Sequence, residues 1–168
     1  MLALTLLAAL ASADTGLDLA EPRLEARDGH VFGRITLHAT VDEVRQVLGD
    51  GAETASHSPD VLRASATPEG VCERVDLEVR GLFAPFQVQT RRCPTTEGFT
   101  ERLAGSTVFT AWEGTWRIVP VADGTEVVYS LRTRLDLPVP QGLVERRTMR
   151  ALELNLLALA DAVDAGGW

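Results

Sequence analysis

The sequence predicts one α+β domain, in which an antiparallel sheet packs against helices on one side. Two observations lead to this prediction. A strand and a helix precede a run of six strand-like segments, and a long apolar helix follows over residues 141–163. No internal repeat, linker or low-complexity tract divides the chain. Without a short leader, about 155 residues remain, which is the length of one domain with a sizeable core.

Alternating apolar and polar residues mark the predicted strands. The first covers residues 31–39 and leads into a helix that begins at a capping box, with Thr40 as N-cap and Glu43 three positions later. Residues 52–59 are polar and are predicted to form a loop or a short helical turn. Six further strands are predicted at about 60–67, 70–80, 85–93, 98–104, 107–119 and 125–137.

The first residues have the pattern of a secretory signal peptide. Residues 1–10 are apolar and carry no charged side chain, and Ala11-Ser12-Ala13 then supplies a small-x-small cleavage site. About ten apolar residues are too few to span a bilayer, which takes about 20. We therefore expect a signal peptide at residues 1–13, a single mature domain at 14–168, and a periplasmic or secreted protein. The alternative is a buried N-terminal helix.

The two cysteines flank a predicted hairpin. Cys72 lies on the strand before an apolar break at residues 81–85, and Cys93 lies on the strand after it. A hairpin centred between Leu82 and Phe83 places the cysteines directly opposite each other, close enough for a disulfide. An exported protein meets the oxidising conditions that such a bond needs. The alternative is a pair of reduced structural cysteines. Neither belongs to a CxxC motif, which disfavours a catalytic or metal-binding role.

The last predicted helix carries one apolar stripe. Its members recur at spacings of three and four residues: Met149, Leu152, Leu156, Leu159 and Val163. Glu145 falls in line with this stripe, and a carboxylate on an apolar face is costly unless it reaches water or a partner. Glu145 could therefore sit at the mouth of a cavity. The alternative is that the stripe has already emerged into solvent at the start of the helix.

Motifs in the second half of the chain resemble those of START-like (SRPBCC) proteins, whose signature reads G-x-W-x-[LIV]-x-P…G-T-x-[LIV]-x-Y…P. The matching segments here are TWRIVP at 115–120, GTEVVY at 124–129, and the pair Pro138 and Pro140. The motifs are most similar to those of the polyketide-cyclase and coenzyme-Q-binding branches. The polar residues 49–60 depart from the family, which has an aromatic-rich segment after the first helix.

The resemblance implies a helix-grip fold, in which a curved antiparallel sheet of about seven strands surrounds the long C-terminal helix and leaves a tunnel between them. START-like proteins bind lipids, sterols, quinones or other apolar small molecules, and some branches are cyclases or hydrolases. Because the segment 49–60 is polar, one wall of the pocket is expected to differ from the family's. Fold alone does not choose among these activities.

Aromatic and apolar side chains of two strands and the last helix are expected to line the pocket. Alternate residues of a strand share one face, so Trp112 and Trp116 face the helix if no bulge intervenes, as do Tyr129 and Leu131 on the next strand. Pockets for small molecules are lined in this way. The predicted ligand-binding residues are Trp112, Trp116, Tyr129, Leu131, Glu145, Met149 and Leu152. The alternative is that these side chains simply fill the core.

The tip of the cysteine hairpin, residues 81–86, is unusually apolar. Exposed apolar patches of this kind mark contacts with membranes or ligands. If they are exposed, Leu82, Phe83 and Phe86 would form a gate or a transient membrane contact. The alternative is that they pack back over the rim of the cavity.

Charge and motif content narrow the function further. The net charge is -8, which argues against a nucleic-acid partner, because such proteins carry a basic patch. The chain contains no nucleophile-elbow, zinc-protease or phosphate-loop motif, so we assign no catalytic residue and expect neither metal nor cofactor. The expected protein is a monomeric carrier of an apolar small molecule or lipid. The alternatives are a cyclase- or hydrolase-type enzyme using the same cavity, and a filled-core module that works through protein contacts.

Overall fold

The computed structural model describes residues 21–81 and 84–168. The predicted signal peptide, residues 1–13, and the tip residues Leu82 and Phe83 lie outside this part of the chain. No helix in the described part is long and apolar enough to cross a membrane. The elements in chain order are β1 (Arg23–Arg27), β2 (His30–Leu37), α1 (Val41–Val47), α2 (Gly51–Ser56), β3 (Val61–Glu69), β4 (Cys72–Val79), β5 (Phe86–Pro94), β6 (Gly98–Ser106), β7 (Phe109–Val121), β8 (Gly124–Leu135) and α3 (Gln141–Ala165).

The strands form one antiparallel sheet in the order β1-β2-β8-β7-β6-β5-β4-β3. The predicted α+β class is therefore confirmed, and the described residues form eight strands rather than about seven. The additional strand is β1, which pairs with β2. Its sequence, RLEAR, is short, charged and mostly exposed, so it lacks the apolar alternation by which a half-buried strand is predicted.

Local sequence explains the two short helices. Thr40 caps α1 as predicted: its backbone N–H donates to Glu43 Oε2 at 2.8 Å, and the Glu43 backbone N–H donates to Thr40 Oγ1 at 3.3 Å. These bonds satisfy donors that a helix start leaves unpaired. The polar segment that follows forms the short helix α2, whose first turn is capped by the Asp50 carboxylate accepting from the Glu53 N–H at 2.9 Å.

Helix α3 packs closely against β2. A Cβ on Gly33 of β2 would lie only 2.7 Å from Leu156 Cδ1. A glycine at this position therefore lets the helix approach the strand closely. Leu152, Leu156 and Leu159 are almost fully buried in the main core, and Met149 is partly buried against it. The predicted stripe is thus the core face of the helix.

The sheet curves around α3. At one edge of the sheet, the helix contacts β1 and β2. Toward the other edge, the Arg147 guanidinium of α3 holds the Asp60 carboxylate, just before β3, through two hydrogen bonds of 2.7 Å. One helix reaches both edges only if the sheet bends around it, which is the helix-grip arrangement that the sequence predicts.

The cysteine hairpin has the predicted register. Strands β4 and β5 pair from Glu73 opposite Arg92 to Val79 opposite Phe86. The next pair along is Cys72 and Cys93, which form a disulfide with an S–S distance of 2.09 Å. The disulfide prediction is therefore confirmed.

We expect Cys72→Ser to lower the free energy of unfolding of the oxidised protein by about 2–4 kcal/mol, because the bond closes a loop in the unfolded chain. Urea unfolding followed by circular dichroism measures this loss. Reductant should bring the wild-type protein to the stability of the variant. Equal urea midpoints for the oxidised wild type and the variant would contradict the prediction.

Candidate ligand-binding site

A cavity of about 470 Å³ opens between the first half of α3 and the inner face of the sheet. This volume lies within the usual range for small-molecule sites. Its wall is almost entirely apolar, which favours an apolar occupant. We call it the outer cavity. Its apolar lining residues are Val61, Val79, Ala84, Pro85, Phe86, Val108, Phe109, Trp112, Leu131, Leu135, Leu137, Val139, Leu143, Val144 and Ala151.

A smaller space of about 80 Å³, the inner cavity, adjoins the outer one. The two share part of their lining, including Trp112, Leu131 and Ala151. Trp112 also packs against both core clusters of the domain. The space under α3 is therefore nearly filled at its inner end and open at its outer end. Of the two alternatives that the sequence left, the filled core describes the inner end and the open pocket describes the outer end.

A largely buried carboxylate organises the inner end. Glu101 of β6 accepts a hydrogen bond from Trp116 Nε1 at 2.8 Å on one oxygen and from the Tyr129 hydroxyl at 2.9 Å on the other. The rings of Trp116 and Tyr129 stack with centroids 4.0 Å apart. A Cβ on Gly114 would lie 2.7 Å from Glu101 Oε2 and 3.0 Å from the Tyr129 hydroxyl oxygen. The glycine therefore makes room for this contact.

Arg92 of β5 lies beside Glu101 and is only 2% exposed. Its Nη1 donates to Glu73 Oε1 at 3.0 Å, its Nη2 donates to the Leu48 carbonyl, and its Nε lies 3.6 Å from Glu101 Oε1. The guanidinium also sits 3.9 Å from the ring centroid of Phe99. A buried cation is stable only with such partners. The side chains of Glu73, Arg92 and Glu101 thus form a cluster of one cation between two carboxylates at the inner wall.

Burial raises the pKa of Tyr129 well above its ordinary value, and the charge of Glu101 and the hydrogen bond to it raise this pKa further, while Arg92 opposes the shift. Tyr129 is therefore a neutral hydrogen-bond donor across the physiological range. The folded-state pKa of Tyr129 is higher than the unfolded value of about 10. The stability that this shift contributes is therefore fully present below about pH 10, and it is lost as the pH rises through the folded-state pKa.

Tyr129 is the only tyrosine of the chain, so an alkaline titration reports on it alone. We expect ultraviolet absorbance to show no phenolate at pH 10 in the folded protein, and ionisation to coincide with alkaline unfolding measured by circular dichroism. Half-ionisation near pH 10 with the fold intact would contradict the described environment of this hydroxyl.

Most of the predicted site residues lie at the cavities. Leu131 and Trp112 line both, while Trp116, Tyr129 and Leu152 line the inner one. Phe86 lines the outer cavity, and its ring lies 5.8 Å from that of Phe109. Leu82 and Phe83, predicted to form the gate with Phe86, lie outside the described residues.

Glu145 and Met149, which were also predicted to bind the ligand, line neither the outer nor the inner cavity. Glu145 Oε1 accepts a hydrogen bond from Gln141 Nε2 at 3.4 Å, and Met149 packs against the main core. The helix presents a second face to the cavities, away from its apolar stripe. That face comprises Val144, Thr148, Ala151 and Asn155.

Strand β7 also departs from the prediction at one point. Its alternation places Trp112 and Trp116 on the inner face, but the register shifts between Phe109 and Ala111. A bulge of this kind inserts one residue and reverses the alternation beyond it. Phe109 therefore lines the outer cavity, while Thr110, two residues before Trp112, is exposed.

The sequence interpretation missed the charged residues of the inner wall. Arg92 shares the inward parity of Val88 and Thr90 on β5, and this alternation was the signal that could have placed it inside. Glu101 follows the buried Phe99 at the same parity on β6. Charged side chains are assigned to solvent by default, because they are almost never fully buried unless paired.

An antiparallel sheet gripping a C-terminal helix, with an apolar cavity between them, defines the START-like helix-grip class. Residues 29–164 match the family model described as polyketide cyclase / dehydrase and lipid transport. The chain therefore belongs to the polyketide cyclase / dehydrase and lipid transport family. A search of curated protein sequences found no match.

Solved structures share the fold at low sequence identity. TTHA0849 from Thermus thermophilus aligns with a TM-score of 0.71 and 20% identity, over 83% of this chain and 99% of that one. A START superfamily protein from Mycobacterium smegmatis gives 0.68 and 20%, over 81% and 97%. The Zhui aromatase/cyclase from Streptomyces sp. R1128 gives 0.62 and 19%, over 87% and 100%. A STAR-related lipid transfer protein from Xanthomonas axonopodis gives 0.63 and 18%, over 88% and 94%.

Proposed function

We propose that this protein binds and carries an apolar small molecule, of the lipid, sterol or quinone-like kind, in the outer cavity. The observation that carries the proposal is an open space of about 470 Å³ with an almost wholly apolar wall. Moving apolar surface from water into such a space is favourable, by about 0.8 kcal/mol for each buried CH₂ group. The aromatic rings of Trp112, Phe86 and Phe109 supply large contact areas at its wall.

The comparisons support the same class of ligand. The family description includes lipid transport, and one protein of the same fold is named as a lipid transfer protein. We extend this property to the present chain because its own cavity has the size and the lining that an apolar ligand requires.

An enzyme of the cyclase or hydrolase kind is the second candidate, and the polar cluster of the inner wall is the observation in its favour. Arg92 Nε and Asn155 Oδ1 are buried there without a hydrogen-bond partner among the described residues. However, both oxygens of Glu101 already accept hydrogen bonds, and the raised pKa of Tyr129 keeps its hydroxyl protonated, so it is a weak acid and is not available as a base. The arrangement therefore favours binding over acid–base chemistry, and the outer cavity argues against a wholly filled core.

We also propose that the protein is exported and acts as a monomer, with residues 1–13 removed and residues 14–168 forming the mature domain. The Cys72–Cys93 disulfide supports an oxidising compartment. Mass spectrometry of the exported protein should give a chain that begins at Asp14. A mass that includes residues 1–13 would overturn this assignment.

We propose that the hairpin tip acts as a gate or a transient membrane contact. Gly81, Ala84 and Phe86 line the outer cavity, and the sequence places Leu82 and Phe83 between them. We expect a double substitution of Leu82 and Phe83 to serine to reduce the flotation of the protein with phosphatidylcholine vesicles. Equal flotation of the wild type and the variant would assign the tip to packing alone.

The binding proposal is tested by titrating the purified, delipidated protein with an anilinonaphthalene dye, which fluoresces in apolar surroundings. We expect saturable binding of one dye per chain, with displacement by a fatty acid, a sterol or a quinone. A weak, non-saturating signal with no displacement by any of the three would contradict the proposal.

A further inference from the structure

The mouth of the outer cavity has a charge opposite to that of the whole protein. Three charged side chains line this cavity: Asp60, Arg80 and Arg147. Asp60 is engaged by Arg147 through two hydrogen bonds of 2.7 Å. Arg80 is exposed and makes no ion pair with any other described residue. The three side chains therefore give the cavity mouth a net charge of one positive unit, although the whole chain has a net charge of -8.

The Arg147 side chain contacts the backbone of Arg80, which belongs to a different wall of the cavity. Arg147 Nη2 donates to the Arg80 carbonyl at 3.5 Å, so helix α3 touches the end of β4 here. Arg147 uses Nε and Nη2 for Asp60, which leaves its Nη1 without a partner among the described residues. The N–H donors of this Nη1 and of the Arg80 guanidinium remain for a ligand.

The interior of the outer cavity offers little to a polar group. Apart from the three charged residues, its polar side chains are Ser58, Thr133 and Thr148. An elongated ligand with one polar end is therefore most stable with its apolar part inside and its polar end at the rim. Arginine is suited to bind carboxylate or phosphate there, because its planar fork donates two parallel hydrogen bonds to such groups.

We propose that the ligand is an anionic amphiphile, whose carboxylate or phosphate head is bound by Arg80 and Arg147 while its apolar tail occupies the outer cavity. This inference rests on the proposed binding function and narrows its ligand class. Neutral ligands with the same tail enter the same cavity but lack the charge-assisted hydrogen bonds at the rim, so they bind more weakly.

The test compares ligands that differ only in the head. Laurate, lauryl phosphate and lauryl alcohol carry the same alkyl chain, and each competes with the dye for the delipidated protein. We expect both anions to bind at least about tenfold more tightly than the alcohol, since charge-assisted hydrogen bonds are the stronger kind. Inorganic phosphate alone should not displace the dye. Tighter binding of laurate or of lauryl phosphate shows whether the site prefers a carboxylate or a phosphate head. Displacement by inorganic phosphate alone would overturn the placement of the tail in the cavity.

Arg80→Gln should lower laurate affinity about tenfold and leave lauryl alcohol affinity within about twofold of the wild type. Arg80→Lys should retain much of the preference for the anion, because it keeps the charge. Arg63→Gln is the matched control, since Arg63 is an exposed arginine that pairs with Glu78 and does not line a described cavity. Thermal unfolding verifies that each variant is folded.

Equal binding of laurate and lauryl alcohol by the wild type would overturn the anionic head while leaving the apolar-carrier proposal intact. The anionic head is likewise overturned if Arg80→Gln and Arg63→Gln weaken laurate binding equally. Failure of every alkyl ligand to displace the dye would overturn both proposals.

Discussion

Replacing Glu101 with alanine is expected to lower the free energy of unfolding by about 2–6 kcal/mol, because Arg92 and two hydrogen-bond donors lose the carboxylate that they share in a largely buried site. Arg92 would keep its bonds to Glu73 and to the Leu48 carbonyl but lose the carboxylate 3.6 Å from its Nε. The substitution would also strip the acceptor from two buried donors, Trp116 Nε1 and the Tyr129 hydroxyl. An unsatisfied buried polar group costs about 1–3 kcal/mol.

Urea unfolding of the two proteins measures the change. Glu113→Ala is a matched control, because Glu113 lies on the neighbouring strand and pairs with Arg102 and Arg132, but its side chain is 42% exposed. Exposed ion pairs contribute about 0–1 kcal/mol, so the control should change little. A loss at Glu101 no larger than that of the control would show that the inner wall does not depend on the carboxylate.

Ala151→Phe is expected to weaken binding of the apolar ligand at least about a hundredfold, because the new ring takes up the space of the ligand. Ala151 lines both cavities and lies on the face of α3 that looks toward them. The ring enters an apolar space, so its burial compensates for any crowding and the protein should remain folded. A loss of binding with no loss of stability is the signature of an occupied cavity.

Leu157→Phe provides the control for this experiment. Leu157 is on the same helix but 36% exposed, so a larger side chain there extends into solvent and should leave binding unchanged. Dye displacement measures affinity, and thermal unfolding measures stability. If Ala151→Phe binds the ligand as tightly as the wild type, the ligand lies elsewhere.

The parts of the fold that were predictable from the sequence are those that local chemistry determines. The capping box at Thr40, the register that brings Cys72 to Cys93, and the apolar stripe of α3 each depend on residues close in sequence or on a single hairpin. The strand β1 was missed because its residues are mostly charged and exposed, and the pairing with β2 and the packing of Leu24 on the main core that stabilise it are not visible in its own sequence.

The site was less predictable because it depends on contacts between distant elements. Arg92 and Glu101 stabilise each other across neighbouring strands, and nothing within either strand alone indicates a buried charge. Glu145 and Met149 line neither of the two cavities, because the apolar stripe of α3 packs mainly into the core and a neighbouring face of the helix bounds most of the space. Thr148, Ala151 and Asn155 on that face are small or polar, and small side chains leave space.

Native mass spectrometry of the protein, purified without detergent and never delipidated, tests the central claim most directly. We predict a monomer carrying one bound molecule, which solvent extraction releases as an amphiphile with an anionic head, and we predict that Ala151→Phe purified in parallel carries none. An unoccupied mass for the wild type, with no gain of mass after incubation with laurate, lauryl alcohol or a sterol, would contradict the account of this protein as a carrier.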